Sequence, residues 1–230
     1  MFLEAVTAVF ISGKVFEDSD HDGLFDAGEN GWSGVTITLT DPVTPYTCVT
    51  DGSGRYLFTV PSGLSRDVIE LTPGGMVSLS PDTMQTGVMA AGDTVNIDFA
   101  DVMVSTIAPE GSKNGVAGGL IEFSHTITAE TAGQSSLDVT LPHCWGHALY
   151  KDVNSDGALD SLDTKLTYSD LYLNPELPGH EIVPIILTVF VPSDVGAGTI
   201  AVAEVTLQQT LDGTSIVTSE LVTNLSLIHI

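Results

Sequence analysis

Two twelve-residue stretches of the chain carry oxygen-bearing side chains at matching intervals. Residues Asp18 to Glu29 (Asp-Ser-Asp-His-Asp-Gly-Leu-Phe-Asp-Ala-Gly-Glu) and Asp152 to Asp163 (Asp-Val-Asn-Ser-Asp-Gly-Ala-Leu-Asp-Ser-Leu-Asp) each place oxygen at positions 1, 3, 5 and 9, glycine at 6 and a carboxylate at 12. That spacing wraps six or more hard oxygens around one Ca²⁺, with the glycine permitting the turn. The first set would use the side chains of Asp18, Asp20, Asp22 and Glu29, the Leu24 carbonyl, and Asp26 directly or through water. The second would use Asp152, Asn154, Asp156, the Ala158 carbonyl, Asp160 and Asp163. Two Ca²⁺ sites are expected, the second weaker because Asp163 is one methylene shorter than Glu29. A solvated acidic turn is the bland alternative, and the number of acids at these intervals argues against it.

The elements that must position these loops read as strands. Short runs rich in Val, Ile, Thr, Phe and Tyr recur every 8 to 12 residues or so, punctuated by Gly, Pro, Asp and Ser, and no segment holds a 3.6-residue apolar period. The expected fold is all-β: two tandem β-sandwich domains, immunoglobulin- or prealbumin-like, with EF-hand-like calcium loops between strands. In the first half the strands are 11–16, 35–40, 46–50, 56–60, 68–71 and 94–99; in the second, 121–129, 136–141, 148–151, 182–191, 199–208 and 215–222. Pro184 should delay pairing of its strand until after it. With no helix pair to open, a sensor-type switch is not expected. A structural extracellular site, with affinity on the order of 10⁻⁴ to 10⁻³ M, is.

Four segments follow. Residues 11–103 form the first domain and 104–224 the second. Residues 1–10, in which only Glu4 and Thr7 are polar, make an apolar strand with no evident mate in a domain that starts at Ile11. Phe2 to Phe10 is therefore expected to add to the sandwich of a neighbouring subunit or of a preceding domain, the alternative being a strand docked within its own chain. A head-to-tail contact of that kind does not close, so it would build a fibre. Residues 225–230 (Leu-Ser-Leu-Ile-His-Ile) resemble the translation of a sequencing adapter, which predicts that the natural gene continues past Asn224; the sequon at Asn224 would then be spurious.

Charge narrows the partners. Thirty acids against six bases give −24 over 230 residues, so nucleic acid and anionic membrane surfaces are excluded as partners for want of clustered Lys or Arg. Nine of the carboxylates lie within the two loops, and bound cations would relieve that local repulsion. No apolar run is long enough to span a membrane, and Met1 to Phe10 lacks the basic start of a signal peptide. Cys48 and Cys144 make no disulfide framework; a single bridge and two inert thiols both remain open. His143, Cys144 and His147 could contribute to a Zn²⁺ site if a fourth ligand came from elsewhere, whereas a loop around a packed Trp145 is the simpler reading. No nucleophile motif, phosphate loop or acid/base pair is visible outside the loops, and no enzymatic activity is expected.

The order of motifs in the first half resembles the B-type domain of serine-aspartate repeat surface proteins, a calcium-binding, prealbumin-like sandwich of bacterial adhesins. The features are Ser12-Gly-Lys-Val-Phe-Glu-Asp18, Gly28-Glu-Asn-Gly31, Gly34-Val-Thr-Ile-Thr-Leu-Thr40, Thr50-Asp-Gly-Ser-Gly-Arg-Tyr-Leu-Phe58 and Pro61-Ser-Gly63. Leu64-Ser-Arg-Asp67 departs from it, since the family carries a tyrosine after the glycine. The second half is similar to an immunoglobulin-like family repeated in tandem on bacterial and archaeal surface proteins, through Gly119 to Thr126, Tyr150 to Asp160 and Val191 to Thr199. These resemblances imply a non-enzymatic structural segment of an extracellular fibre, pilus-like filament or adhesin stalk. Its partners would be copies of itself in a head-to-tail polymer or adjoining domains of a longer chain. A ligand- or carbohydrate-binding adhesin module, or an accessory region of a larger secreted protein, is the alternative. The pilin relatives of such domains also raise an isopeptide crosslink between Lys14 and Asn96, although Lys14 does not sit at their usual position.

Overall fold

The computed structural model describes residues 8–141, 144–167, 171–173, 181–211 and 214–227, the last two strands beyond residue 210 by backbone alone. The chain divides into two compact units between Met103 and Val104.

Unit 1 is a sandwich of two sheets. Strands β1 (Ala8–Glu17), β4 (Arg55–Pro61), β6 (Met76–Ser78) and β9 (Phe99–Met103) form one sheet in the order β4-β1-β9-β6, and β8 (Thr94–Asn96) also pairs with β1. The other sheet runs β3 (Tyr46–Val49), β2 (Thr36–Leu39), β5 (Asp67–Glu70), β7 (Thr83–Gln85). Alternation in β1, β2 and β4 turns Val9, Ile11, Ile37, Leu39, Phe58 and Val60 inward, where they meet in one core. Burying such side chains contributes roughly 1.5–3 kcal/mol each.

Unit 2 repeats the two-layer plan. One sheet is β10 (Thr106–Ala108), β12 (Leu120–Ala129), β17 (Glu181–Phe190), β14 (His147–Lys151), β15 (Thr164–Lys165). The other is β11 (Gly111–Gly115), β19 (Thr214–Leu227), β18 (Ile200–Leu211), β13 (Gly133–Thr140), β16 (Leu171–Leu173). Phe123, Ile127, Ile185, Leu187, Val205 and Leu207 lie in its core.

Three sequence expectations change. The apolar start does not stand apart from unit 1: Ala8, Val9 and Phe10 open β1, facing Pro61, Val60 and Thr59, and Phe10 also faces Thr94 of β8. Val9 is fully buried, so the alternation that carries Ile11 into the core begins two residues earlier; residues 1–7 lie outside the described residues. The run 94–99 is two strands. β1 pairs with β8 as far as Ser12 and with β9 from Val15, and the chain crosses between them at Ile97 and Asp98.

Pro184 sits inside β17, paired with Thr126, and pairing with β12 already includes Ile182 and Val183. Its carbonyl accepts the Asp152 N–H at 3.0 Å on the β14 side, so its missing donor would face the point where β14 ends rather than β12. Strand β19 runs through Asn224 to Leu227, pairing with β11 and β18.

Candidate metal centres

Each twelve-residue loop is the tip of a hairpin. The first leaves β1 and returns alongside it: Glu17 N–H donates to Asn30 O at 2.9 Å, Phe16 bridges Gly31, and Trp32 N–H donates to Val15 O at 2.8 Å. The second leaves β14 and returns as β15, with Lys151 opposite Thr164 and Tyr150 opposite Lys165. A hairpin base fixes both ends of a loop, so its interior can be held without helices.

Inside, the two loops make the same bonds at the same positions. The position 1 carboxylates, Asp18 and Asp152, are 0% and 2% exposed. Asp18 accepts N–H groups from Asp22 (3.2 Å) and Gly23 (2.9 Å); Asp152 accepts them from Asp156 (3.3 Å) and Gly157 (2.8 Å). At position 5, Asp22 and Asp156 accept from Leu24 (2.7 Å) and Ala158 (2.9 Å). At position 12, Glu29 clamps the N–H groups of Ser19 and Asp26 at 2.8 and 2.9 Å. Asp163, although shorter, clamps Val153 and Asp160 at 3.1 and 2.8 Å. The backbone is left-handed at positions 4 and 6 in both: His21 (φ 64°) with Gly23 (76°), and Ser155 (57°) with Gly157 (76°). Glycine takes that conformation freely, while His and Ser adopt it at some cost.

The donor sets differ in charge. In the first loop, ligand oxygens of Asp18, Asp20 and Asp22 lie within 4.8 Å of one another. Burial pushes the Asp18 carboxyl above its ordinary value, with nearby Glu29 adding to the effect and the Gly23 and Asp22 N–H groups opposing it. A buried acid beside like charges, surrounded by further carboxylate oxygens, fits a hard divalent cation, whose charge reverses that penalty. In the second loop Asn154 replaces an acid, and its Nδ2 donates to Asp156 (3.0 Å) and Asp160 (3.2 Å). Its Oδ1 is the oxygen it offers to a cation. When bound, the cation would supply charge neutralisation and cross-linking of the loop; Asp18, Asp20, Asp22, Asp26, Glu29 and the Leu24 carbonyl would hold one, and Asp152, Asn154, Asp156, Asp160, Asp163 and the Ala158 carbonyl the other.

Two residues that tie the loops to their sheets carry no mark in the motif. Phe25, at position 8, packs edge-on against Phe16 at 5.5 Å, and Lys14 Nζ lies 3.0 Å from the centre of its ring. A lone aromatic in an acidic turn is a signal that could have been read. In the second loop the position 8 residue, Leu159, donates its N–H to Glu122 on β12 at 3.3 Å; nothing in sequence connects residues so far apart.

Other candidates separate. Trp145 is buried in the core of unit 2, Cys144 is exposed, and His147 Nδ1 is 3.1 Å from the Trp145 carbonyl; His143 lies outside the described residues. Cys48 and Cys144 are free thiols. Asn96 Nδ2 donates to Asp98 Oδ2 at 2.7 Å while Lys14 covers Phe25, so each half of the suggested crosslink is engaged elsewhere.

A second carboxylate group in unit 1 was not foreseen. Asp101 on β9 is fully buried and accepts the Ser78 hydroxyl at 2.8 Å; Glu70 on β5, in the facing sheet, is 4% exposed, and both its carboxyl oxygens and Asp101 Oδ2 are buried without a hydrogen-bond partner among the described residues. Burial, then the neighbouring Asp101 carboxylate, push Glu70 up to about 9, so the pair holds a proton at neutral pH. Burial also raises Asp101. In sequence both look like ordinary strand acids.

Residues 10–98 match the family model of the SdrD B-like domain, in agreement with the resemblance read from the first-half motifs. No curated protein matches the chain. Among solved structures the chain is similar to the major pilin subunit BcpA of Bacillus cereus, with 12% identity over 95% of this chain and 69% of that one and a TM-score of 0.50. A variant of the same pilin gives 13%, 96%, 69% and 0.52. The major pilin SpaD of Corynebacterium diphtheriae shares 13% identity over 97% of this chain and 67% of that one, with a TM-score of 0.43. The BcpA likeness identifies the fold as that of pilin-type β-sandwich domains.

Proposed function

We propose that the chain is a non-enzymatic structural segment of a prokaryotic surface fibre, pilus-like filament or adhesin stalk, stiffened by one Ca²⁺ in each sandwich. The observation that carries this reading is the duplicated loop: the same bonds at positions 1, 5 and 12, and the same left-handed residues at 4 and 6, recur on hairpins of two sandwiches. Convergence on one cation-cradling geometry in both units has a common purpose in neutralising acids that otherwise repel. A saturating ion, at about 100 times its dissociation constant, stabilises a domain by roughly 2.7 kcal/mol, a sizeable share of a marginal stability. The surface location and the pilus-like role draw on the SdrD B-like match and the pilin fold. No helix among the described residues is long and apolar enough to cross a membrane.

Partners in this reading are copies of the chain or adjoining domains of a longer one. Because Ala8–Phe10 are already paired within unit 1, strand donation between subunits would not draw on them. Calorimetric titration with CaCl₂ and electron microscopy with and without chelator test the proposal together. Two bound ions per chain and filaments that weaken or shorten on chelation are expected. Monodisperse particles under every condition would exclude self-assembly, and absent calcium uptake would exclude the stapling role.

A further inference from the structure

Alternation on β17 leaves a residue that the core does not account for. Val183, Ile185, Leu187 and Val189 face the core, so Ile182, Pro184, Ile186, Thr188 and Phe190 face outward. Ile182 and Phe190, at the two ends, are 55% and 47% exposed, yet Ile186 in the middle is 0% exposed and is not part of the core. Something covers the centre of this outer face.

The second loop crosses it. β17 lies between β14 and β12. The loop leaves β14 by donating Asp152 N–H to Pro184 O at 3.0 Å, two residues before Ile186. A Cβ on its Gly157 would stand 3.4 Å from Ser124 Oγ, and Ser124 is the β12 partner of Ile186. Its Leu159 N–H reaches Glu122, the β12 partner of Thr188, at 3.3 Å. These three contacts start at β17 and end at β12, spanning the strip that holds Ile186 and Thr188, the latter 4% exposed.

We propose that Glu122 is a positioning residue for the second loop, which it holds as a strap across the sheet, so that cation binding in the loop and burial of Ile186 are one cooperative event. The proposal rests on the calcium reading above. Glu122 sits outside the twelve-residue motif and fixes the backbone between the Ala158 carbonyl and Asp160, two of the groups assigned to the ion. Outer-sphere partners of metal ligands are typically worth 10- to 100-fold in affinity. A loop that binds calcium tightens onto Glu122 and the outer face; a loop without calcium is free to lift, exposing Ile186. The first loop docks differently, through Phe25 on β1 and through Asp18 N–H, which donates to the Asp101 carbonyl of β9 at 2.9 Å.

Calcium titration calorimetry and hydrogen-exchange mass spectrometry of the full chain, wild type against Glu122→Ala and Glu122→Gln, test this. Glu122→Ala is expected to weaken one of two sites on the order of 10-fold and leave the other unchanged. Glu122→Gln, which keeps an acceptor, should restore most of the loss. Exchange across 183–190 should slow on calcium addition in wild type and respond far less in Glu122→Ala at the same calcium concentration. A merely structural defect would instead raise exchange equally with and without calcium. If wild type binds two ions but Glu122→Ala titrates identically, or if 183–190 is indifferent to calcium, the strap is wrong while the calcium reading stands. If wild type and an Asp152→Asn, Asp156→Asn variant take up the same number of ions, the calcium reading of this loop fails and the strap with it.

Discussion

The two sandwiches solve the same two problems with different chemistry. Each bears a twelve-residue loop at a hairpin tip, and each buries a polar knot between its sheets. In unit 1 the loop is held by an aromatic packed on its own strand, Phe25 on Phe16, and the knot is ionisable: Glu70, Asp101 and Ser78. In unit 2 the loop is held across the sheet by Glu122, and the knot is neutral. There Ser105 Oγ donates to Gln209 Oε1 (2.9 Å), Gln209 Nε2 donates to the Thr131 carbonyl (2.7 Å), and Glu130 N–H donates to Ser105 Oγ (3.2 Å). A neutral amide satisfies its surroundings at any pH; a carboxyl pair does so only while one proton stays in place. Toward alkaline pH unit 1 should therefore weaken where unit 2 does not, whereas buried His125, its pKa lowered by burial, makes unit 2 the acid-sensitive one.

The largest expected effect breaks that contrast. Glu70 is pushed up from 4.5 to about 9 in the folded chain, so the folded state holds a proton that the unfolded state has lost. The stabilisation is fully present below pH 4.5 and is lost as pH rises through 9, with a slope of up to about 1.4 kcal/mol per pH unit. Hydrogen exchange at saturating calcium should show unit 1 weakening steadily between pH 6 and 9 while unit 2 holds. Glu70→Gln, which puts a neutral side chain beside Asp101 at every pH, should flatten the dependence and stabilise unit 1 above pH 7. A Glu70→Gln variant with the wild-type pH profile would show that the proton is not shared as described.

Calcium removal comes next, with a loss near 2.7 kcal/mol per saturated site and a fall in melting temperature on the order of 10 °C. It sharpens the comparison because the two losses should separate. The first loop offers five carboxylates and the second four, with Asn154 at position 3; affinity follows ligand charge count. As free calcium is lowered, unit 2 should lose exchange protection at a higher concentration than unit 1. The shorter reach of Asp163 counts for less, since Asp163 makes the same two bonds as Glu29. Simultaneous loss in both units would mean that charge count does not set the order.

How far these features can be read in sequence depends on whether their cause is local. The loops are local: ligand spacing, the glycine at position 6 and the strand-like flanks are all within a few residues, and strands with clean alternation such as 120–129 and 55–61 announce themselves. β6, β7, β15 and β16 are two or three residues long, too short for a period to register, and exist because a neighbouring strand offers an edge. The break at Ile97 and Asp98 is set by β1 exchanging partners. Glu70, Asp101 and Glu122 are ordinary acids at strand positions until tertiary pairing brings each to its partner. Ala8–Phe10 went astray for a related reason, because their mates Thr59–Pro61 lie fifty residues on.

The smallest expected effect probes the strap directly. Gly23 and Gly157 occupy the same loop position with the same φ of 76°, so alanine at either should carry the left-handed penalty of roughly 1–2 kcal/mol. Their surroundings differ. Nothing lies within 4 Å of a Cβ built at Gly23, whereas one at Gly157 meets Ser124 Oγ at 3.4 Å and Cβ at 3.7 Å. Those are ordinary contact distances, so the new methyl gains weak dispersion contact and Gly157→Ala should lose slightly less stability than Gly23→Ala, by a few tenths of a kcal/mol at most. The methyl rests on the strand beneath, so the difference should appear where the loop touches the sheet, as better kept protection around Ser124 and Ile186. Ser124→Ala in the Gly157→Ala background removes part of that contact and should bring the two glycine variants closer to level. A difference that is untouched by Ser124→Ala would place its origin in the loop backbone and not in its seat on β12.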